Sequence, residues 1–372
     1  MQLKNIKAIN FKNFKELDVS FNSLNLLIGS NASGKSNFIQ LFKFIKDLSS
    51  LGIENALSLQ GDVDFFKNLS IFNQNTIISY TFKNDIINQE FSEIIYEIEF
   101  SYNDKIHFEK EILKLISNGS ELVLINKNGS LEIIGTQPEG FPIRIIEKKI
   151  SNRNCLAQII FDLFDLEIFS NKIYDFDIQK AKLPSTINDI IELKENGENL
   201  AVSIRHIFKN NENKEAFINL VQQALPFIKD INIENYFNEN LVLNLKESYY
   251  KDTFLPSSVL SDGTIIVFCL IIALFFDNSK IKIFEEPERA LHPYLISRIV
   301  SLFYDSSREN QIFLTSHNPE MLKCIKLDDI FVISRDNEGF SQIKNIREFE
   351  NLEVFLSNDL GIDQIISSSL LE

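Results

Sequence analysis

The chain has only three cysteines, no tryptophan, and no apolar stretch of bilayer-spanning length. Cys155, Cys269 and Cys324 are odd in number and far apart, which fits neither a disulfide framework nor a CxxC metal site and points to a reducing, cytoplasmic setting. The longest apolar run, Ile265 to Phe276, reaches about 18 Å as a helix against a hydrocarbon layer of about 30 Å, so a buried core helix is expected and no membrane span. The opening MQLKNIKAINFKNFKEL lacks a continuous apolar core and a small-residue cleavage site, so no signal peptide is expected. Internal repeats, low-complexity tracts and heptads of coiled-coil length are missing too. Positive charge is scarce: 37 Lys and Arg face 52 Asp and Glu, a formal net charge of -15, so no global field draws the chain onto phosphates. A local basic groove stays open, because Lys4, Lys7, Lys12 and Lys15 crowd the first residues.

What remains is an ordinary folding mixture. With 372 residues, 44% apolar and 24% charged, the chain has enough material for two or three lobes and a full core. The 33 phenylalanines, with abundant Ile, Asn and Lys, read as codon bias and carry no function.

Periodicity gives the order of elements. Residues 3 to 10, 17 to 21 and Leu24 to Ile28 read as strands, and NFIQLFKFIKDL from Asn37 has helical spacing. From 76 to 150, runs such as IISYTF, IIYEIEF and ELVLI, broken by Asn-Gly and Asn-Asp turns, predict a mostly antiparallel lobe. Helical period marks 155 to 169 and two segments within 197 to 225, after which INIENYF and LVLNLKES return to strand. From Leu260 the pattern alternates between helix and apolar strand, with strands at Ile281 to Glu285, Ile312 to Thr315 and Ile330 to Ser334, as in parallel α/β. The expected fold is α/β: a P-loop head split between 1–80 and 255–372, an antiparallel β lobe at 81–150, and an inserted helical lobe with return strands at 151–254.

Gly29, Ser30, Asn31, Ala32, Ser33, Gly34, Lys35 and Ser36 satisfy G-x-x-x-x-G-K-[ST] between a strand and a helix, with Asn37 opening the helix. Glycines let backbone amides curl around phosphates, the helix N-terminus adds its positive end, Lys35 neutralises β/γ oxygens and Ser36 ligates magnesium. The bland alternative is a glycine turn beside a surface lysine. A P-loop needs a carboxylate on another strand, and Glu285 and Glu286 end the apolar strand IKIFEE: Glu285 is placed to hold Mg2+, and Glu286 to polarise the attacking water. Taken alone, such a strand end is a solvated turn. His317 follows another apolar strand in LTSH, where an imidazole can sense the γ-phosphate; a structural histidine is the alternative. His292 before Pro293 fits a helix start equally well, and His107 and His206 have no partner spacing. Ser261, Asp262 and Gly263 precede the apolar helix, an anion site or simply an N-cap by Ser261 or Asp262.

The ordered set GSNASGKS, LSDGT, IFEEPERALHP and LTSH resembles the ABC-type head ATPases of the RecF/SMC/OLD group, most closely small stand-alone AAA-21 ATPases that include PtuA-like defence proteins. The resemblance implies that Gly29 to Ser36 are the Walker A loop, Glu285 and Glu286 end Walker B, His317 is the switch histidine, and Ser261 and Gly263 belong to the signature motif. It implies a homodimer that sandwiches two ATP molecules, the signature of one copy facing the nucleotide of the other, with Ala290 to His292 as the D-loop. Gln60 is the candidate Q-loop residue, touching nucleotide and metal. Asp262 and Thr264 depart from the transporter pattern; capping by Asp262 would turn its charge away. Glu285 stands where Asp is usual, which implies slow turnover. Neither Asp62-Val63-Asp64 nor Asp175-Phe176-Asp177 has a TOPRIM context, so no nuclease site is expected in the chain. The expected function is an ATP-driven dimeric switch controlling a separate effector, a nuclease or toxin, in anti-phage defence, with at most weak DNA binding; the alternative is a RecF-like repair ATPase that clamps duplex DNA.

Overall fold

The computed structural model describes residues 2–349 apart from 62, 72–73, 84–90, 103–104, 118–119, 139–140, 151–154, 160–170, 188–189, 238 and 251–252. It forms two compact units, one built from both ends of the chain, up to Asn171 and from Leu327, and one from Lys172–Lys326. In chain order the elements are β1 (Gln2–Phe11), β2 (Phe14–Ser20), β3 (Leu24–Ile28), α1 (Lys35–Leu51), α2 (Ile53–Leu59), α3 (Val63–Phe66), β4 (Thr76–Lys83), β5 (Glu93–Tyr102), β6 (Ile106–Ser117), β7 (Ser120–Lys127), β8 (Ser130–Gly135) and α4 (Ile143–Lys149). Then follow β9 (Asn171–Tyr174), α5 (Ile178–Lys182), β10 (Ser185–Thr186), α6 (Leu200–Ile207), α7 (Asn211–Ala224), β11 (Ile228–Tyr236), β12 (Asn240–Glu247), β13 (Phe254–Pro256), α8 (Asp262–Phe275), β14 (Ile281–Glu285), α9 (Pro293–Ser306), β15 (Gln311–Ser316), α10 (Pro319–Leu322), β16 (Ile330–Arg335) and β17 (Ser341–Asn345).

The first unit carries a seven-stranded sheet in the order β2-β1-β4-β5-β6-β7-β8, antiparallel at every step. Because β4 pairs with β1 on one edge and β5 on the other, the ladder runs unbroken through residue 80, the expected border between head and β lobe. Helix α1 buries Phe38, Leu41, Phe42, Phe44, Ile45 and Leu48 at helical spacing. Phe44, Phe66 and Phe100 meet with ring centroids 5.2 and 5.4 Å apart, Phe66 also packing edge-on to Phe11, and the Tyr80 hydroxyl donates to the Leu41 carbonyl at 2.7 Å. Separately, β16 pairs in parallel with β3 and antiparallel with β17. The helix expected at 155 to 169 lies mostly outside the described residues.

The second unit holds an antiparallel β10-β12-β11 sheet, with β13 on β12, and parallel β14 and β15 with β9 beside β14. Helix α8 covers the apolar run and is buried from Thr264 to Leu274. Its C-terminal end is pinned by an unexpected side chain. Lys282 lies wholly inside β14 and donates to the carbonyls of Leu274 at 2.9 Å and Asp277 at 2.8 Å; burial pushes its ammonium down to about 8. No described helix is long and apolar enough to cross a membrane.

One buried acid in the first unit makes stability pH-dependent. The Glu111 carboxylate accepts from Asn126 Nδ2 at 2.8 Å, Leu156 N at 2.6 Å and the Tyr96 hydroxyl at 2.8 Å. Burial nevertheless dominates and lifts its pKa to about 7. Between about pH 4.3 and the folded value, the folded state keeps a proton that the unfolded chain has lost, so stability falls as pH rises through that window and levels off above it. Thermal melts from pH 5 to 8 should show this slope in wild type and a flatter one in Glu111→Gln; parallel slopes would remove Glu111 as the source.

Candidate functional site

In the first unit, β3 runs out at Ile28 and the loop from Gly29 to Gly34 turns directly into α1. Gly34 is the N-cap, with no side-chain cap bond, so the first amides of α1 are not screened by a capping side chain. Two loop residues are left-handed, Ala32 at φ 63° and Gly34 at φ 122°. The glycines answer to steric demand as well as amide access. A Cβ on Gly34 would lie 2.4 Å from Ser341 Oγ and 2.6 Å from Asn13 Nδ2, and one on Gly29 would lie 2.4 Å from the Ile333 carbonyl. Lys35 folds back over the loop, its ammonium 2.6 Å from the Gly29 carbonyl and 2.9 Å from that of Ser30. Ser36 is exposed on the first turn, and Asn37 lines a cavity of about 360 Å³ with Lys12, Asn13, Lys67, Arg335 and Phe340. Gln60 ends α2 with its side chain buried and its Oε1 without a hydrogen-bond partner; Lys12 Nζ sits 3.3 Å from its backbone carbonyl.

In the second unit, the parallel register sets Glu285 opposite Thr315, so Glu286 and His317 leave adjacent strand ends together. The Glu286 amide donates to the Thr315 carbonyl at 3.0 Å, and the residue is left-handed at φ 47°, strain of the kind stored at functional sites. Its carboxylate is held from two sides, Oε1 by His317 Nδ1 at 3.0 Å and Oε2 by Arg289 Nη2 at 3.3 Å. Partial burial acts to raise its pKa, but the His317 and Arg289 contacts outweigh burial and hold it below the usual carboxylate range. Glu288 goes the other way. It is buried, bonded to Ser316 Oγ, and raised chiefly by burial.

Ser261, not Asp262, caps α8: its Oγ accepts from Thr264 N at 3.1 Å, which leaves Asp262 in the first helical turn. The Asp262 charge is instead met by Lys182. Gly263 abuts the turn after β14, since a Cβ there would lie 3.1 Å from the Ala290 carbonyl. His292 N-caps α9, its ring nitrogen 3.4 Å from Tyr294 N. Asp175 pairs with Arg289 at 3.7 Å and Asp177 caps α5, while the Asp62 to Asp64 side chains lie outside the described residues.

A family model described as "AAA domain, putative AbiEii toxin, Type IV TA system" matches residues 24–323. The chain belongs to this AAA_21 family. It is an ABC-type ATPase of the RecF/SMC/OLD kind. It is 23% identical over 395 residues to an ATP/GTP phosphatase of Helicobacter pylori, covering 96% of this chain and 98% of that protein. Endonuclease GajA of Bacillus cereus is 21% identical over 344 residues, 87% of this chain but 56% of the endonuclease. The crystal structure of an SMC head bound to the C-winged helix domain of ScpA shares the fold, with a TM-score of 0.54 at 15% identity over 92% of this chain and 98% of that one.

Several residues around the AAA_21 motifs escaped sequence reading. Arg289 and Glu288 sit inside a recognised segment, yet nothing in their spacing says that one clamps Glu286 and the other reaches Ser316. Arg335 and Ser341, which meet the Gly29–Gly34 loop, carry no signal beyond polar residues flanking a turn. The steric reading of Gly34 is testable against Gly339, which is also left-handed at φ 87° but has no atom within 4 Å of a Cβ. Gly34→Ala should weaken ATP binding at least about tenfold and lower the melting temperature, whereas Gly339→Ala should cost only the backbone strain of about 1–2 kcal/mol. Equal melting losses in the two variants would refute the close-approach explanation.

Proposed function

We propose that this chain is a magnesium-dependent ATPase acting as a nucleotide-driven switch, in which two copies close face to face on ATP and the closed pair controls a separate effector, a nuclease or toxin, in anti-phage defence. The carrying observation is Glu286, a carboxylate held in a left-handed turn by His317 at 3.0 Å and by Arg289. Such an ionised, pre-aimed oxygen suits orientation of a hydrolytic water, and His317 beside it suits a γ-phosphate sensor. The loop amides from Gly29 to Ser36 and the Lys35 ammonium suit the triphosphate. Likeness to the phosphatase of Helicobacter pylori along nearly its whole length supports hydrolysis.

Magnesium takes one or two protein oxygens and fills its shell with phosphate and water. Oxygen donors of the kind that demand needs are the exposed Ser36 hydroxyl in the first unit and, in the second unit, the half-buried Glu285 carboxylate at the end of β14; the Gln60 Oε1 is buried and would have to move to serve. A bound magnesium ion would supply charge neutralisation at the phosphate oxygens. No described group of three or more His, Cys, Asp and Glu is built to hold a metal by protein ligands alone.

The dimer reading rests on α8. Ser261 and Asp262 are exposed at its N-terminus, a positive helix end turned outward, and Val259 just before them is 64% exposed. A second copy's nucleotide gives that end an anion. The effector reading rests on charge and on the relatives. A net charge of -15 favours protein contacts over a duplex, and similarity to an endonuclease over 87% of this chain supports a link to a nuclease effector.

Two experiments test the reading. Lys35→Ala should abolish ATP binding, and Glu286→Gln should bind ATP while hydrolysing it at least about 100-fold more slowly, the scale of losing a general base; equal ATP affinity in wild type and Lys35→Ala would sink the assignment. Ser261→Arg should bind ATP as a monomer but neither dimerise nor hydrolyse. Mixing Ser261→Arg with Lys35→Ala should restore turnover through the one composite site left intact, and normal hydrolysis by Ser261→Arg alone would reduce Ser261 to a helix cap.

A further inference from the structure

The first unit contains a feature that the nucleotide motifs do not account for: the carbonyl side of the Walker A loop is bound by side chains from the far end of the chain. Arg335, the last residue of β16, donates Nε to the Ala32 carbonyl at 2.8 Å and Nη1 to the Gly339 carbonyl at 2.9 Å. Its guanidinium therefore joins the loop to the β16–β17 turn with the two prongs of one rigid fork. Ser341, the first residue of β17, donates Oγ to the Ser33 carbonyl at 2.5 Å, receives Asn13 Nδ2, and gives its own amide to the Asn13 carbonyl at 2.9 Å. The turn between them is itself fastened: Asp336 accepts from the amides of Glu338 and Phe340 at 3.0 and 2.9 Å, and Lys15 pairs with Glu338 at 3.3 Å.

In a trans peptide, N–H and C=O point in opposite directions. The peptide joining Ser33 to Gly34 has its carbonyl on Ser341, so the Gly34 amide faces away from the hairpin. The neighbouring peptide, Ala32 to Ser33, has its carbonyl on Arg335 and its amide on the Ser30 carbonyl at 3.2 Å, so its plane is fixed from both ends. These contacts oppose a specific cost, because Ala32 is a left-handed residue without glycine's freedom. Released from Arg335, the Ala32 peptide can rotate back to an ordinary backbone region and carry the following amides off target.

We propose that Arg335 and Ser341 are positioning residues for nucleotide binding: they hold the carbonyl face of the Walker A loop so that its amide face stays aimed at phosphate. Neither residue touches the phosphate. Both act through the loop, and the proposal rests on the reading of Gly29 to Ser36 as the ATP site. Loss of the clamp therefore weakens ATP capture and leaves the chemistry at Glu286 intact once ATP is bound.

The test is ATP–Mg2+ titration and steady-state hydrolysis on full-length wild type, Arg335→Ala, Arg335→Lys, Ser341→Ala and Lys35→Ala, each with a melting temperature taken without nucleotide. Arg335→Ala should raise Kd and KM about tenfold, the effect of one charge-assisted hydrogen bond, with kcat within about twofold of wild type. Arg335→Lys should fall between, since an ammonium can reach one carbonyl but cannot reproduce the planar fork. Ser341→Ala should show the same split between KM and kcat, and it carries the test if Arg335→Ala fails to fold. Wild-type Kd and KM in Arg335→Ala and Ser341→Ala, with Lys35→Ala unable to bind, would overturn the positioning role alone. A kcat loss without a KM change would overturn it as well. Wild type that binds no ATP would overturn the underlying site and the clamp together.

Discussion

Gly34 has no room for a side chain, and much of the first unit follows from that one approach. The β16–β17 hairpin comes so close to the loop that a single carbon would strike Ser341 and Asn13. The closeness supplies donors for loop carbonyls that would otherwise need water, and it draws three distant stretches of chain together: the β1–β2 turn, the strand-to-helix loop and the C-terminal hairpin. A phosphate loop is usually described by the amides it presents. Its carbonyls are the other half of the same peptides, and here their partners lie about 300 residues downstream.

The second unit solves a different problem, that of keeping an acid fixed at a strand end. Parallel pairing, with α9 as the crossover, places the ends of β14 and β15 side by side, which brings Glu286 and His317 within hydrogen-bond reach. The left-handed backbone at Glu286 costs energy that the Thr315 carbonyl and the two side-chain contacts offset. Two residues on, Glu288 is turned inward to Ser316. The turn after β14 thus separates a partly exposed acid from a buried one only two residues away.

Regular elements and motif positions were legible because they depend on local chemistry. The strand at Ile281 to Glu285 coincides with β14, the apolar run appears as α8, and the glycine-rich turn stands between β3 and α1. Long-range polar contacts were not legible, since nothing local distinguishes Arg335 from any strand-terminal arginine. Asp262 shows the limit even within a motif. Ser, Asp and Thr are all fair N-caps, and the choice of Ser261 was decided by where the helix begins, with Lys182 meeting the leftover charge from outside the motif. Lys282 was invisible for the opposite reason: a lysine in an apolar strand reads as an exposed position, whereas here it is buried to close the end of a helix.

That helix closure bears on how the second unit can move. Lys282 ties the C-terminal end of α8 to β14, and Ser306 of α9 donates to the same Leu274 carbonyl at 2.9 Å. At the other end Gly263 rests against the Ala290 carbonyl, in the turn that follows Glu286 and Arg289. Ser316 binds Glu288, so β15 is fastened to that turn as well. Helix α8 is therefore tied at its C-terminal end to β14 and α9 by buried hydrogen bonds, and at its other end meets the turn after β14 by close packing. Shifting α8 along β14 means breaking buried hydrogen bonds at its C-terminal end, whereas its N-terminal end is limited by packing alone.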